Sequence, residues 1–487
     1  MRPAVDTQIV VVGAGPVGLM LAGELRIGGA EVVVLDARDQ PTTESRASTL
    51  HARTMEILAS RGLGAVFGPL PQEPRGHFGG IPMDLTLPTR FPGQWKVPQT
   101  RTEELLGRWA VGLGADVRRG WAVRRVSDDG GQVTVEAATP AGVRTLRAAY
   151  LVACDGQNST VRDLLGVPFP GWSATRELLR ADVAGIDVPN RRFQRLERGM
   201  AVAVRSPQGI TRVMVHEYGQ GVPAVRAGRA PTAAEPDFAE VTDVWKRVTG
   251  EDISTGEPLW VNAFDDTNRQ LARYRHGRVL FAGDAAHVQL PIGGQALNLG
   301  LQDAVNLGWK LAAQVRPVPP QGLLDTYHEE RHAVGRRVLA NIRTQAALLL
   351  GDATVEPVRA LLAELMAVES NRAPLAGMVT GLEVRYPAGP EDHPAVGTRV
   401  PDLDQHDGRG LLLAAPGSDL VRLARPWADR VRALPLPPLS TDIAAVLVRP
   451  DGHIAWAGSV PHHLCTALDR WFGPPAAVAG QQQPGGG

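Results

Sequence analysis

"QIVVVGAGPVGLMLAGELRIGGAEVVVLDA" (Gln8–Ala37) is the stretch that decides the fold. The apolar run Ile9–Val12 reads as a strand buried on both faces of a parallel sheet. Pro16–Ile27 reads as a helix that ends in Gly28 and Gly29, and Val32–Asp36 as a second strand. Together residues 8–36 form a βαβ unit. Its first turn carries Gly13, Gly15 and Gly18 in the G-x-G-x-x-G spacing, with Pro16 opening the helix. Gly13 permits the tight turn, Gly15 lets a pyrophosphate approach the backbone, and Gly18 lets the helix pack on the sheet. The helix N-terminus then offers unpaired N–H groups to the phosphates. Asp36 closes the second strand, placed to accept hydrogen bonds from adenosine ribose hydroxyls, with Ala37 beside it. A bare G-x-G-x-x-G is also met as a structural turn. Strand, turn, helix, strand and acid in sequence favour a dinucleotide, without separating NAD from FAD.

The chain has 487 residues, enough for two or three domains. Its 44% hydrophobic and 21% charged content is that of a globular enzyme. A formal net charge of zero gives no reason to expect nucleic acid or an acidic membrane as partner. No apolar run is long enough to suggest a membrane-spanning helix, and no cleavable leader is apparent. Basic charge is nearly all arginine: Lys96, Lys246 and Lys310 are the only lysines. Cys154 and Cys465 match no metal or redox spacing. A cytoplasmic, disulfide-free enzyme, monomer or homodimer, is the expectation.

Further along, residues 98–125 read as helix and then strand, and "GGQVTVEAATP" and "VRTLRAAYLVACDG" as strands. Residues 176–265 alternate apolar and polar side chains, as an antiparallel sheet does. "GRVLFAGDAAH" is another buried strand, and 298–316 and 321–350 are helical. The Pro-, Gly- and Asp-rich stretch 384–410 reads as a linker before a small α/β unit, and the tail 481–487 as disordered.

Two more glycine–acid turns point to FAD. Asp155 and Gly156 follow one strand; Gly283 and Asp284 follow another. Each alone is an ordinary turn. An NAD domain has no need of a second acidic turn so far downstream, whereas the ribityl chain and second phosphate of FAD extend away from the adenosine site. Asp284 is placed to bind ribityl hydroxyls. The loop "PIGGQALNLG" (Pro291–Gly300) then runs into a helix. Its glycines, Gly294 among them, let backbone approach a flat ring, and the N–H groups of the helix face the pyrimidine edge, where negative charge gathers on reduction. Asn298 is expected to donate to that edge or, in the plainer alternative, to cap the helix.

These three segments resemble the signature set of class A flavin monooxygenases of the para-hydroxybenzoate hydroxylase-like fold. With Gly76–Gly80, "VPQ" (Val97–Gln99) and "TYHEERH" (Thr326–His332), the chain resembles the aromatic polyketide hydroxylases of angucycline and anthracycline pathways, and rifampicin monooxygenases share most of these motifs. The resemblance covers nearly the whole chain. It implies an α/β architecture: a Rossmann-like FAD-binding domain from 1–175 and 266–384, an antiparallel-sheet substrate domain at 176–265, and a thioredoxin-like domain at 385–480, here without Cys-x-x-Cys. An insert near 72–97 contributes to the substrate site. Arg46 and Gln99 are implied as contacts to the phosphate, ribityl or flavin parts, and Ala37, Val123, Asp155, Gln295 and Leu297 are expected cofactor positions as well. The chain departs from the family pattern at Ala296 and Leu299, where relatives read more like GQGMNTG.

The implied chemistry is aromatic hydroxylation. NADPH or NADH reduces FAD, dioxygen adds to give a C4a-hydroperoxyflavin, and an electron-rich ring attacks its distal oxygen. No catalytic triad is needed, and the loop of Pro291 and Gly294 positions the flavin. A polycyclic substrate needs apolar walls with a few polar anchors. Phe78, Met83, Met214, Trp260 and Phe264 are candidate walls or plain core. His77, Gln289 and His216 are candidate anchors, with a structural histidine the alternative for His216 and His287. A rifamycin-inactivating monooxygenase, Baeyer–Villiger oxygen insertion, a flavin reductase and a non-catalytic flavin- or drug-binding protein remain as alternatives.

Overall fold

The computed structural model describes residues 5–43, 47–64, 68, 70–223, 235–390, 392–435 and 443–476. Arg46 and the tail 481–487 lie outside the described residues. At the centre, strand Thr7–Val12 runs parallel to Val32–Asp36 on one side, with Ile9 opposite Val32, and to Gly142–Ala153 on the other, with Ile9 opposite Tyr150. Asp116–Arg119 extends the sheet beyond Val32–Asp36, and Val279–Phe281 extends it beyond Gly142–Ala153, both in parallel. An antiparallel extension, Ala122–Asp128 and Val133–Thr139, folds back on Gly142–Ala153. Ile9, Val10 and Val11 are fully buried, as their unbroken apolar run requires.

Helix Pro16–Ile27 packs directly on helix Gln295–Gln314. The contact is close because small residues face each other: a Cβ on Gly28 would strike Ala312, and one on Gly308 would strike Glu24. Leu301, Ala304, Val305, Gly308 and Leu311 are all buried along the second helix.

Five antiparallel strands form the second sheet, in the order Arg191–Arg195, Gly199–Arg205, Thr211–Glu217, Glu177–Ala184, Glu257–Asp265. Strand alternation sends Leu179, Ala181, Val213 and Val215 to one face, against Trp245 of helix Phe238–Thr249. The opposite face, with Leu178, Met200, Val202 and Met214, packs on Leu290, Ile292, Ile342 and Leu349. Helix Phe238–Thr249 departs from the all-strand expectation for 176–265. Its signals are local: the Asp237 carboxylate accepts the Glu240 N–H at 2.7 Å, and Gly250 ends the helix at φ 78°.

Two helices that the periodicity reading did not foresee, Glu356–Met366 and Glu369–Thr380, cover the hairpin Arg75–Phe78/Ile81–Asp84. Phe78, Ile81 and Met83 pack there with Met366, Ala376 and Val379. Phe78 and Met83 are therefore core residues of this cover, not pocket walls.

The C-terminal unit has a four-stranded sheet in the order Val431–Pro435, Gly410–Ala414, Ala445–Val448, Ile454–Gly458, closed by helix Pro461–Phe472. A βαβ start followed by an antiparallel hairpin and a helix is the connectivity of thioredoxin-like units. Its core is completed by Trp309 of the long helix, whose ring centroid lies 6.3 Å from that of Trp471. Beside this apolar contact lies a buried ionic one: Arg449 forks onto Glu330 at 2.5 and 2.9 Å, and Lys310 reaches the same carboxylate at 2.7 Å.

Candidate active site

The three glycine–acid turns meet. Gly13 has φ 104°, and a Cβ there would run into the Cys154 carbonyl, next to Asp155. A Cβ on Gly18 would run into the Gly13 carbonyl. A Cβ on Gly283 would lie 3.0 Å from Val17, and one on Gly300 would lie 2.7 Å from the same side chain. The 155 turn thus lies against Gly13, while the 283 turn and Gly300 of helix Gln295–Gln314 close on Val17 of the same glycine loop. Gly15 differs from its neighbours, since a Cβ there would meet nothing within 4 Å. That open space, at the N-terminus of helix Pro16–Ile27, is what a pyrophosphate needs.

Asp36 is 5% exposed, and its Oδ2 accepts the Ala14 N–H at 2.7 Å while Oδ1 accepts the Arg38 N–H at 2.9 Å. It braces the glycine turn from the end of the second strand, with lone pairs to spare for a ribose. Ala37 beside it is exposed, and Val123 is buried in the adjoining strand. Gln99 begins helix Gln99–Gly112 and clamps the segment after Arg46: its N–H donates to the Ala47 carbonyl at 2.8 Å and its Oε1 accepts the Ala47 N–H at 3.2 Å. Asp155 Oδ2 accepts the Val161 N–H at 3.0 Å, its Oδ1 is a buried atom without a protein partner, and burial raises its pKa. Asp284 is exposed on the turn Gly283–Ala285, where a ribityl chain can reach it.

Asp303 anchors that turn. Its Oδ2 lies 3.2 Å from the Gly283 N–H and 2.7 Å from His287 Nε2, and its Oδ1 accepts from Arg331 Nε at 2.7 Å. Burial alone would raise its pKa, but Arg331 and His287 outweigh that and lower it. His287 therefore serves the scaffold rather than the substrate.

Asn298 corrects an expectation. Its Oδ1 accepts from the His51 N–H at 2.9 Å and the Thr54 hydroxyl at 2.6 Å, and its Nδ2 donates to the carbonyls of Thr49 at 3.0 Å and Gly294 at 2.7 Å. Two lone pairs and two N–H groups are all that a primary amide has. Asn298 cannot also donate to a flavin; it staples the strand Thr49–His51 to the flavin loop. Nor does it cap the helix, whose N-cap is Gly294 at φ 72°. What remains for a ring edge is backbone, the N–H groups of Gln295, Ala296 and Leu297 in the first turn. Leu299 is 3% exposed in the core, so its departure from the family pattern does not reach the flavin face.

Around the Gly293–Gly294 turn sits a polar group that sequence reasoning largely missed. A Cβ on Gly294 would lie 2.9 Å from Thr49 and 3.5 Å from His51 Nε2. Lys96 Nζ donates to Thr49 Oγ1 at 3.1 Å. Gln295 Oε1 accepts from Asn341, Asn341 Oδ1 accepts from Gln345 at 3.1 Å, and Gln345 Oε1 accepts the Gly79 N–H at 3.1 Å. Both ring nitrogens of His51, both amide atoms of Gln289 and Nε2 of Gln295 are buried without a hydrogen-bond partner. Buried polar atoms normally find partners, so this concentration marks the place where a ligand supplies them. Burial, then Lys96, pushes His51 down to about 4; the nearby Gly293 backbone opposes this without forming a regular hydrogen bond. Burial and Lys96 likewise push His77 down to about 3.

Among the other anchors, His77 stacks on Phe193, centroids 4.2 Å apart, and its Nδ1 accepts the Gly80 N–H. Met214 and Phe264 are partly buried against the apolar cluster that contains Leu290 and Ile292 of the loop. Trp260 sits farther along the sheet, under the Arg180 guanidinium at 4.3 Å. His216 is 3% exposed and bonded through Nδ1 to the Glu177 carbonyl at 2.8 Å, while its Nε2 is buried without a partner. Pro291 is exposed at the start of the loop.

The open cradle at Gly15, the exposed Asp284 and the unpartnered polar atoms around Gly294 fit an extended FAD. A sequence-family profile described as an FAD binding domain matches residues 6–342, and one described as the C-terminal domain of aromatic-ring hydroxylases matches 384–475. The 12-dehydrotetracycline 5-monooxygenase/anhydrotetracycline 6-monooxygenase of Streptomyces rimosus is 41% identical, over 96% of this chain and 99% of its own. The rifampicin monooxygenase of Streptomyces venezuelae is 41% identical over 97% of this chain and 100% of its own. Among solved structures, CabE, an aromatic hydroxylase from angucycline biosynthesis, superposes with a TM-score of 0.90 at 45% identity, covering 96% of this chain and 100% of that one. The chain belongs to the FAD-dependent aromatic-ring hydroxylases, a family of flavoprotein monooxygenases.

Proposed function

We propose that this chain hydroxylates a polycyclic aromatic polyketide during antibiotic biosynthesis, with NADPH or NADH as reductant and dioxygen as oxidant. The observation that carries this reading is the contact between the two sheets' domains. The antiparallel sheet packs Met214 and Phe264 against the apolar cluster that includes Leu290 and Ile292 of the loop, which runs on into a turn ringed by polar side chains. An apolar wall with a few polar anchors suits a flat, oxygenated ring system.

FAD, when bound, supplies hydride acceptance and oxygen activation. The protein's own residues supply placement. Gly293 and Gly294, at φ 63° and 72°, leave backbone bare where a ring must lie close. The first-turn N–H groups of helix Gln295–Gln314 would offer donors to negative charge on a ring bound there. Leu290, Ile292, Ile342 and Met214 keep water from the reacting carbon, which limits wasteful release of hydrogen peroxide. Gln289 and Gln295 offer amide groups to the substrate or the ring edge.

Equal identity to a tetracycline-acting and a rifampicin-acting enzyme keeps drug inactivation as a second reading. Aerobic incubation with NADPH and a panel of anhydrotetracycline, angucyclinones and rifamycins, under labelled dioxygen, separates them by mass spectrometry. Gain of one labelled oxygen atom on a polyketide precursor supports biosynthetic hydroxylation; gain only on rifamycins supports inactivation. Absence of label from every panel member, with FAD bound, contradicts both. The reading includes the cytoplasmic setting and the monomeric or homodimeric state expected from the sequence; among the described residues no helix is long and apolar enough to cross a membrane.

A further inference from the structure

Lys96 stands apart from the other lysines. Lys246 pairs with Asp252 at 3.0 Å and Lys310 with Glu330 at 2.7 Å, each an ordinary ion pair. Lys96 has no carboxylate within ion-pair distance among the described residues, and its ammonium bonds only to the Thr49 hydroxyl. Thr49 in turn touches Gly294, the residue that ends the flavin loop. The other charges near Lys96 are already engaged. Glu73, the nearest acid, pairs with Arg192 at 3.4 Å, and Arg359 is held by the carbonyls of Gly79 and Leu348 and by Glu356. The Lys96 side chain is exposed, and partial burial followed by Arg192 lowers its pKa. His51 and His77 stay neutral beside it, and both ring nitrogens of His51 are buried and unpartnered.

A lone ammonium next to an unpartnered buried imidazole, at the edge of the flavin loop, is a receptor for negative charge on oxygen. We propose that Lys96 and His51 receive an ionised phenol or enol oxygen of the substrate and so select hydroxyquinone-type rings in their anionic form. This rests on the reading of the site as one for polycyclic aromatics and names the feature by which such rings are chosen. Lys96 acts as a point charge and His51 as a neutral N–H donor.

The test uses FAD-loaded protein and two dyes of one shape: alizarin, whose phenol ionisation is visible in its absorption, and anthraquinone, which has no hydroxyl. Bound alizarin should ionise at lower pH in the wild type than free in solution. In Lys96→Met the bound midpoint should rise by about one pH unit or more, the size expected for loss of one nearby opposite charge. Lys96→Arg, which keeps the charge, should hold most of the shift, and anthraquinone should bind wild type and Lys96→Met alike. Thermal melts and flavin content identify any variant that fails to fold. The proposal is overturned if bound alizarin titrates identically in wild type and Lys96→Met. It is also overturned if anthraquinone loses affinity as much as alizarin, or if only the flavin midpoint potential moves, which would assign Lys96 to the reduced flavin. If neither dye binds the wild type, the polycyclic-aromatic reading itself fails and takes the proposal with it.

Discussion

Asp303 Oδ2 lies 2.7 Å from His287 Nε2, with both side chains sealed from solvent. The same carboxylate holds the Gly283 N–H and Arg331, so one buried anion fixes the turn that presents Asp284. Asp303→Asn leaves Arg331 buried without its counter-charge. The expected loss is about 3–5 kcal/mol of folding stability, read by urea denaturation, together with weaker FAD retention.

Gly15 and Gly18 should separate binding from folding. Gly15 has φ −78° and ψ 179°, which any residue adopts, and open space where a Cβ would go. Gly15→Val should leave apo stability within about 1 kcal/mol and weaken FAD by about tenfold or more, because the side chain occupies the phosphate's approach. Gly18→Val should fail to fold, since its Cβ meets the Gly13 carbonyl. Fluorescence titration of FAD and circular dichroism melts read the two effects.

Asn298→Ala should behave as a stability mutant. Four hydrogen bonds vanish, and buried groups on Thr49, Thr54, His51 and Gly294 lose partners. The expected cost is about 2–4 kcal/mol. A variant of unchanged stability but altered flavin absorption would mean that the side chain faces the ring after all.

Acid should weaken the fold before its carboxylates titrate. His51 and His453 are held down to about 4, and His77 to about 3, by burial first in each case. In the unfolded chain histidine titrates near 6.5, so between about pH 6.5 and pH 4 the unfolded state binds more protons. Stability is therefore full above about pH 6.5 and falls as pH drops through that window, by at most about 3.4 kcal/mol per residue down to about pH 4. Glu330, lowered to about 2 although burial alone would raise it, because Arg449 and Lys310 hold its charge, adds its loss only below about pH 4.5. Urea titrations across this range should show a slope that His453→Gln reduces.

The sequence made the scaffold legible where one residue type has one physical job. Gly13, Gly15 and Gly18 sit where the spacing places them, and the unbroken run Ile9–Val12 is buried as a parallel strand must be. Helix Phe238–Thr249 was hidden by strand alternation on either side, although Asp237 and Gly250 marked its ends. The site was legible at its backbone and opaque at its side chains. Asn298 looks like a ligand donor in sequence because nothing there shows Thr49, His51 and Thr54 folding back onto it. Lys96, Asn341 and Gln345 join the flavin loop through long-range packing that no local pattern encodes; the scarcity of lysine in an arginine-rich chain was the one hint available for Lys96.

Three distant turns are expected to grip one extended FAD. Isothermal titration of flavin-stripped protein with FAD tests it most directly, run on wild type, Gly15→Val and Asp284→Ala. One FAD per chain is expected, with weaker binding in both variants and an apo melt of Gly15→Val close to wild type, because a Cβ at Gly15 meets open space. Wild-type protein that binds no FAD, or two variants that bind it as tightly as wild type, would contradict it.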